Sequence, residues 1–330
     1  MKIFPATEEN IRNAVELIRK GKLIAFPTET VYGLGANGLD PIAAASIFAA
    51  KARPSFNPLI LHVTGAEMMA QICSQIPESV LKLMSRFSPG PLTYVLPKSE
   101  TVPDIVTSGN PTVGVRIPAH PVALRLIELA GVPVAAPSAN KFNKLSPTDA
   151  KHVAKQLHGE VDMILDGGMT TIGVESTIVT ERMGKIVILR HGGVPKEEIE
   201  EFLGYRVSET TDSARPDSPG QLKYHYAPAI RIAFRDETDF DRINFSRAAA
   251  LRFGKTGESD DKDFRLVRNL SVTGDLREAS SNLFRYLHEL ENEDIEIIVA
   301  DKIEPAGLGK AIMDRLTKAV NYYRRPADLK

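Results

Sequence analysis

Apolar residues recur along the chain with two different periods. Ile11, Val15 and Ile18 fall at i, i+4 and i+7, one face of a helix that Thr7 can cap and Gly21 stops. The apolar run at residues 23–26 reads as a buried strand. After a polar, Gly-rich loop, Asp40 as N-cap and Pro41 at the first helical position open an Ala-rich helix to about Ala52, which leads to a second apolar run at 59–63. Further strands are expected at 92–96, 113–117, 132–136 and 163–165, separated by helical patterns at 78–86, 122–130 and 149–157. Residues 176–180 and 186–190, joined by a turn at Met183-Gly184-Lys185, read as a hairpin, and a short helix over 196–203 follows.

Strands and helices mixed without strict alternation predict an α/β fold with a twisted mixed sheet, not a pure doubly wound one. Residues 205–229 are dominated by Ser, Thr, Asp, Pro and Gly until the cluster Tyr224-His225-Tyr226. Beyond them, strand-like runs at 230–234, 248–253 and 295–300 alternate with helical patterns at 276–291 and 310–323, a small Rossmann-like α/β domain. The expected division is therefore a large domain over 1–204, a linker over 205–229 and a small domain over 230–330. A chain of 330 residues is too long for one comfortable core, which agrees.

Lys plus Arg number 41 against 42 for Asp plus Glu, so a net charge of -1 gives no global attraction to nucleic acid or anionic membrane, and any polyanion site must be a local cluster. The single cysteine, Cys73, excludes an internal disulfide and a multi-thiolate metal site. The start of the sequence lacks a signal-peptide pattern, and no apolar stretch approaches the length of a membrane span. A cytoplasmic protein is expected, with no membrane partner.

Gly33, Gly35 and Gly38 in GLGANG fit the dinucleotide fingerprint in an unsuitable context. The strand ends near Pro27, the helix begins only at Pro41, and the next strand ends in Leu61-His62-Val63 with no carboxylate for a ribose. Gly307-Leu308-Gly309-Lys310 fails as a phosphate loop, because Glu304 stands for its first Gly and Ala311 for its Ser/Thr.

Lys51 and Arg53 are a better phosphate candidate, with Pro54 and Pro58 stiffening the segment and Asn57 adding an amide. The structural alternative is a solvated helix end whose cations complement the macrodipole, and substituting either cation is expected to leave stability nearly unchanged. Thr28-Glu29-Thr30 and Ser138-Ala139-Asn140 place short polar side chains at the mouths of apolar strands, where ligand sites and ordinary turn chemistry both occur. Arg116, inside an otherwise apolar strand, and Arg190, at the end of the hairpin, are costly positions for a charge unless it is paired or aimed at a ligand.

In order, PTETVYGLG (27–35), KARPSFNPLILHV (51–63), SPGPLTYVL (88–96), VGVRIPAHP (113–121), APSAN (136–140), SPT (146–148), ESTIV (175–179) and LRHG (189–192) resemble the YrdC-like domain over nearly all of residues 7–204. SPGQLKYHYAP (218–228) and the small domain after it resemble the long form of that family, the threonylcarbamoyl-AMP synthases. One departure is Phe142-Asn143, where the family pattern has Ser-Gly.

The resemblance implies a nucleotidyltransferase that joins L-threonine, bicarbonate and ATP into threonylcarbamoyl-AMP, for a tRNA threonylcarbamoyl transferase complex that modifies tRNA. It places Arg53, Asn57, Thr112, Ser138, Asn140, Ser146, Arg190 and Tyr226 at ATP, with Lys51 beside the phosphates and Lys51 and Arg53 supporting the chemistry. It places Thr30, His62, Arg116, Ala136 and Ser176 at L-threonine. Mg²⁺ is expected to arrive with ATP, with no dedicated metal cage and no tightly bound organic cofactor. Two other readings remain: an RNA- or nucleotide-binding module of the same fold without synthase activity, and a nicotinamide enzyme using GLGANG. The balanced charge argues against more than weak RNA binding. Residues 205–229 are expected to act as a lid, with Tyr226 reaching the nucleotide and Pro219-Gly220 as the hinge, or else to dock the small domain.

Overall fold

The computed structural model describes residues 3–210, 224–255, 257, 261–291 and 294–325. The chain divides into two compact units, the first comprising Met1–Phe142, Ser146–Thr171 and Glu175–Leu222 and the second Asn143–Leu145, Ile172–Val174 and Lys223–Lys330.

The strands of the first unit are β1 (Ile3–Pro5), β2 (Ile24–Phe26), β3 (Gly33–Asn37), β4 (Ile60–His62), β5 (Leu92–Pro97), β6 (Thr112–Arg116), β7 (Val134–Ala135), β8 (Met163–Asp166), β9 (Thr177–Arg182), β10 (Lys185–Arg190) and β11 (Ser208–Glu209). They form one mixed sheet in the order β1-β8-β2-β3-β7-β4-β6-β5-β9-β10-β11. Its helices are α1 (Glu8–Arg19), α2 (Pro41–Lys51), α3 (Ala66–Ile72), α4 (Glu78–Phe87), α5 (Asp104–Thr107), α6 (Pro121–Ala130), α7 (Ala150–Gln156) and α8 (Lys196–Leu203). Thr7 and Asp40 cap α1 and α2 as expected, each side chain accepting from a first-turn N–H. The hairpin β9–β10 is antiparallel and turns through Met183 and Gly184, both at positive φ.

The periodic face of α1 supplies the core on one side of this sheet: Ile11, Val15 and Ile18 pack with Leu126 and Ile127 of α6 and with Ile24, Phe26 and Leu165. A larger cluster contains Ile47, Leu61, Tyr94 and Val115. Each fully buried aliphatic side chain here contributes about 1.5–3 kcal/mol, so the helix faces read from the sequence carry much of the stability.

The expected loop through GLGANG is instead the strand β3, antiparallel to β2. A Cβ on Gly35 would lie 2.6 Å from the Phe26 ring, so glycine is needed for close packing. Leu34 N–H is spent on Pro137 O, and the segment forms no phosphate cradle. The nicotinamide reading fails for that reason.

In the second unit β12 (Arg231–Phe234), β13 (Ala248–Arg252), β14 (Leu266–Asn269) and β15 (Ile297–Ala300) form a wholly parallel sheet in the order β12-β15-β13-β14. α9 (Leu276–Leu290) and α10 (Leu308–Arg324) belong to it. No helix among the described residues is long and apolar enough to cross a membrane.

Candidate active site

Strand register assembles the first half of the site. His62 on β4 lies opposite Arg116 on β6, and Arg116 lies opposite Thr93 on β5. Opposite residues share a sheet face, so the three form a polar row. Ile60, Val95, Ile178 and Leu189 form an apolar cluster beside it. Thr93 Oγ1 is 2.7 Å from Ser176 Oγ, and Arg190 donates from Nη2 to Ser176 O at 2.8 Å and to its Oγ at 3.2 Å. At the other end of the row, Arg116 Nη1 donates to Thr30 Oγ1 at 2.9 Å.

Arg116 is also opposed by a carboxylate. Its Nη2 lies 2.7 Å from Glu29 Oε1, yet the alignment is too poor for a hydrogen bond, and neither Glu29 oxygen has a hydrogen-bond partner. His62 is buried and held neutral: burial, then the Arg116 charge, push its pKa down to about 3. Its Nδ1 has no hydrogen-bond partner either. Buried polar atoms without hydrogen-bond partners thus cluster at Glu29, His62 and Arg116, an arrangement able to receive a polar ligand.

The second half is built where α2 ends. Ala52 takes the left-handed conformation and turns the chain, so that Lys51 and Arg53 point inward, only 1% and 8% exposed. Lys51 Nζ donates to Ser138 O and Asn140 O, both at 2.5 Å, and Lys51 O accepts from Phe142 N–H. Arg53 donates from Nε to Asn57 O at 2.9 Å and from Nη2 to Asn57 Oδ1 at 2.7 Å and Pro58 O at 2.8 Å. Burial pushes the Lys51 ammonium well below the ordinary lysine value, neighbouring Arg53 lowers it further, and Glu175 opposes both. The solvated helix end expected as the alternative is therefore wrong, and the expectation that replacing these cations would leave stability unchanged loses its premise.

The remaining expected residues are placed as follows. Ser146 Oγ donates to buried Glu175 Oε1 at 2.5 Å. Ala136 N–H donates to Ile60 O, so the group it can offer an amine is its carbonyl. Thr112 is half-buried and shares the face of Arg116 along β6. Asn143, where the family pattern has glycine, takes φ 64°, a left-handed conformation that asparagine tolerates.

Tyr226 belongs to the second unit, where its ring is buried 5.7 Å from that of Phe284 with the Arg315 guanidinium 5.3 Å from its centroid. Pro219 and Gly220, expected as the hinge, lie outside the described residues.

Three site residues escaped the sequence reading. Glu29 and Glu175 each sit inside a motif used for its hydroxyl-bearing neighbours, and Thr93 looks like an ordinary strand threonine. The signal for the carboxylates was the one applied to Arg116, a charge beside an apolar strand.

Comparison with known proteins decides the family. A family described as "Telomere recombination" matches residues 16–192, and one described as "Threonylcarbamoyl-AMP synthase, C-terminal domain" matches residues 194–320. The threonylcarbamoyl-AMP synthase of Pyrococcus abyssi is 45% identical over 96% of this chain and 95% of its own length. The chain belongs to the threonylcarbamoyl-AMP synthases. The Bacillus subtilis synthase is 38% identical over 94% of this chain and 93% of its own. The crystal structure of P. abyssi Sua5 complexed with L-threonine superimposes with a TM-score of 0.87 at 41% identity, covering 97% of both chains. This synthase is thus a nucleotidyltransferase, built from a large mixed-sheet domain and a small parallel-sheet domain.

Proposed function

We propose that residues 1–204 form the catalytic domain, with 205–229 as linker and 230–330 as the small domain, and that the site above divides its labour between an amino acid and a triphosphate. Arg116 takes the carboxylate of L-threonine, its forked donors matching two oxygens. Thr30, neutral His62 and Ser176 read the side-chain hydroxyl, and the Ala136 carbonyl meets the amine. Asn57, Ser138, Asn140, Ser146, Arg190 and Thr112 hold ATP, with Lys51 and Arg53 at the phosphates.

The threonine amine and bicarbonate form a carbamate, whose oxygen attacks the α-phosphate while the bond to pyrophosphate breaks. No side-chain nucleophile is required. Lys51 and Arg53 offset charge as it moves onto the leaving oxygens, and fixing both reactants removes most of the entropic barrier. Mg²⁺ would arrive with ATP and screen its phosphates. Product passes to a tRNA threonylcarbamoyl transferase complex in the cytoplasm, a compartment that suits one buried free cysteine.

The observation that carries this assignment is the buried row of incompletely satisfied polar groups at Glu29, His62 and Arg116. Pyrophosphate release tests it: release should require L-threonine and bicarbonate together. Release that ignores either one contradicts the proposed reaction, and ATP binding without any release leaves a binding module.

A further inference from the structure

We propose that Glu29 is the general base of the reaction, receiving the threonine ammonium and taking the proton that must leave it before a carbamate can form. The inference rests on the assignment of Arg116 to the threonine carboxylate.

Glu29 is 7% exposed, follows β2 in the Thr28-Glu29-Thr30 turn, and presents two carboxylate oxygens with no hydrogen-bond partner. Its nearest charge is Arg116, whose Nη1 and Nε are already committed to Thr30 Oγ1 and, at 3.2 Å, to Gly90 O. A buried pair touching through a single misaligned contact recovers little of its desolvation cost. An α-amino acid carries the mirror image of this pair, a carboxylate and an ammonium on one carbon. Once the threonine carboxylate meets the guanidinium, the ammonium falls beside Glu29, and both halves of the pair gain an aligned partner.

The chemistry needs that neighbour. An ammonium has no lone pair and cannot attack bicarbonate carbon. Glu29 accepts one N–H proton and becomes a carboxylic acid. The neutral amine then forms the N–C bond, and the C–O bond to hydroxide breaks. A second N–H proton joins that hydroxide as water, leaving the carbamate anion.

The charged and titratable groups around Glu29 are Arg116 on β6 and His120 at the start of α6, with His62 beyond Arg116. His62 is too weak a base to take this proton, with a pKa pushed down to about 3. His120 is lowered by burial and spends Nδ1 accepting the Val122 N–H at 3.2 Å.

The test is the pH profile of pyrophosphate release at saturating threonine for the wild type, Glu29→Gln and Glu29→Asp. Glu29→Gln should lose about 100-fold near neutrality and recover about tenfold per pH unit, because only threonine that is already neutral can react. Glu29→Asp should keep the shape of the wild-type profile at a reduced rate. A loss in Glu29→Gln that is equal at every pH, or no loss, would overturn the proposal, since a residue that merely braces Arg116 has no reason to follow the amine's titration. Threonine titrated calorimetrically into Arg116→Lys separates the two layers. Unchanged affinity there overturns the carboxylate assignment itself, whereas weakened affinity with a wild-type profile in Glu29→Gln overturns only the role of Glu29.

Discussion

Lys51 and Arg116 are both buried cations in the first unit, and they are balanced in opposite ways. The Lys51 ammonium rests on two neutral carbonyls, Ser138 O and Asn140 O, whereas Arg116 faces the Glu29 carboxylate. Carbonyls position a cation without cancelling its charge, and the one carboxylate acting on Lys51, Glu175, is outnumbered by Arg53 and Lys141, so this end keeps an excess of positive charge of the kind that holds a triphosphate. The Arg116 end is a compact dipole, and a dipole is complementary to a zwitterion. On the proposed assignment, the two substrates are separated by how each cation is compensated as well as by where it sits.

The largest break in this comparison is expected at the phosphate end. Arg53→Ala should reduce pyrophosphate formation about 1000-fold, the scale of losing one preorganised charge stabiliser. Because Arg53 also ties Asn57 and Pro58 through three hydrogen bonds, the same change should destabilise the fold by about 2–4 kcal/mol. Urea unfolding beside the activity assay checks both, and unchanged stability would contradict the bonding described.

That prediction reverses the expectation from sequence, and the reversal shows where sequence stops being legible. Lys51 and Arg53 lie at the end of an Ala-rich helix, and nothing in the local pattern states that Ala52 adopts a left-handed turn and sends both cations inward. Likewise the strand Gly33–Asn37 lacks the β-branched residues of ordinary strands, and at Gly35 the neighbours Phe26 and Val134 occupy the space a side chain would fill. Where periodicity and capping suffice, as in α1 with Thr7 and α2 with Asp40, the elements were readable nearly to the residue. The ordered motifs pointed to the candidate site but not to its internal balance. Glu29 lies between two threonines, and only the fold sets it against Arg116, 87 positions downstream in the chain.

A smaller effect sharpens the picture of the threonine end. His62 titrates at about 3 in the folded protein against 6.5 for the free side chain, so the unfolded chain binds the extra proton first as pH falls. Stability should therefore drop as pH falls from about 6.5 towards 3. The loss between pH 7 and pH 5 should be about 1–2 kcal/mol. His62→Gln should remove that part of the acid slope. An identical slope in the variant would mean that His62 is charged in the native protein and does not act as a neutral reader of the substrate hydroxyl.

The division between the two cations is tested most directly by titrating ATP and L-threonine separately into Lys51→Ala and Arg116→Lys. Arg116→Lys should weaken threonine about 100-fold, the cost of a lost bidentate contact in a buried site, and leave ATP within about twofold. Lys51→Ala should show the converse, with ATP lost and threonine retained. If each variant weakens both ligands equally, the two cations serve one undivided site, and the way each is compensated does not sort the substrates.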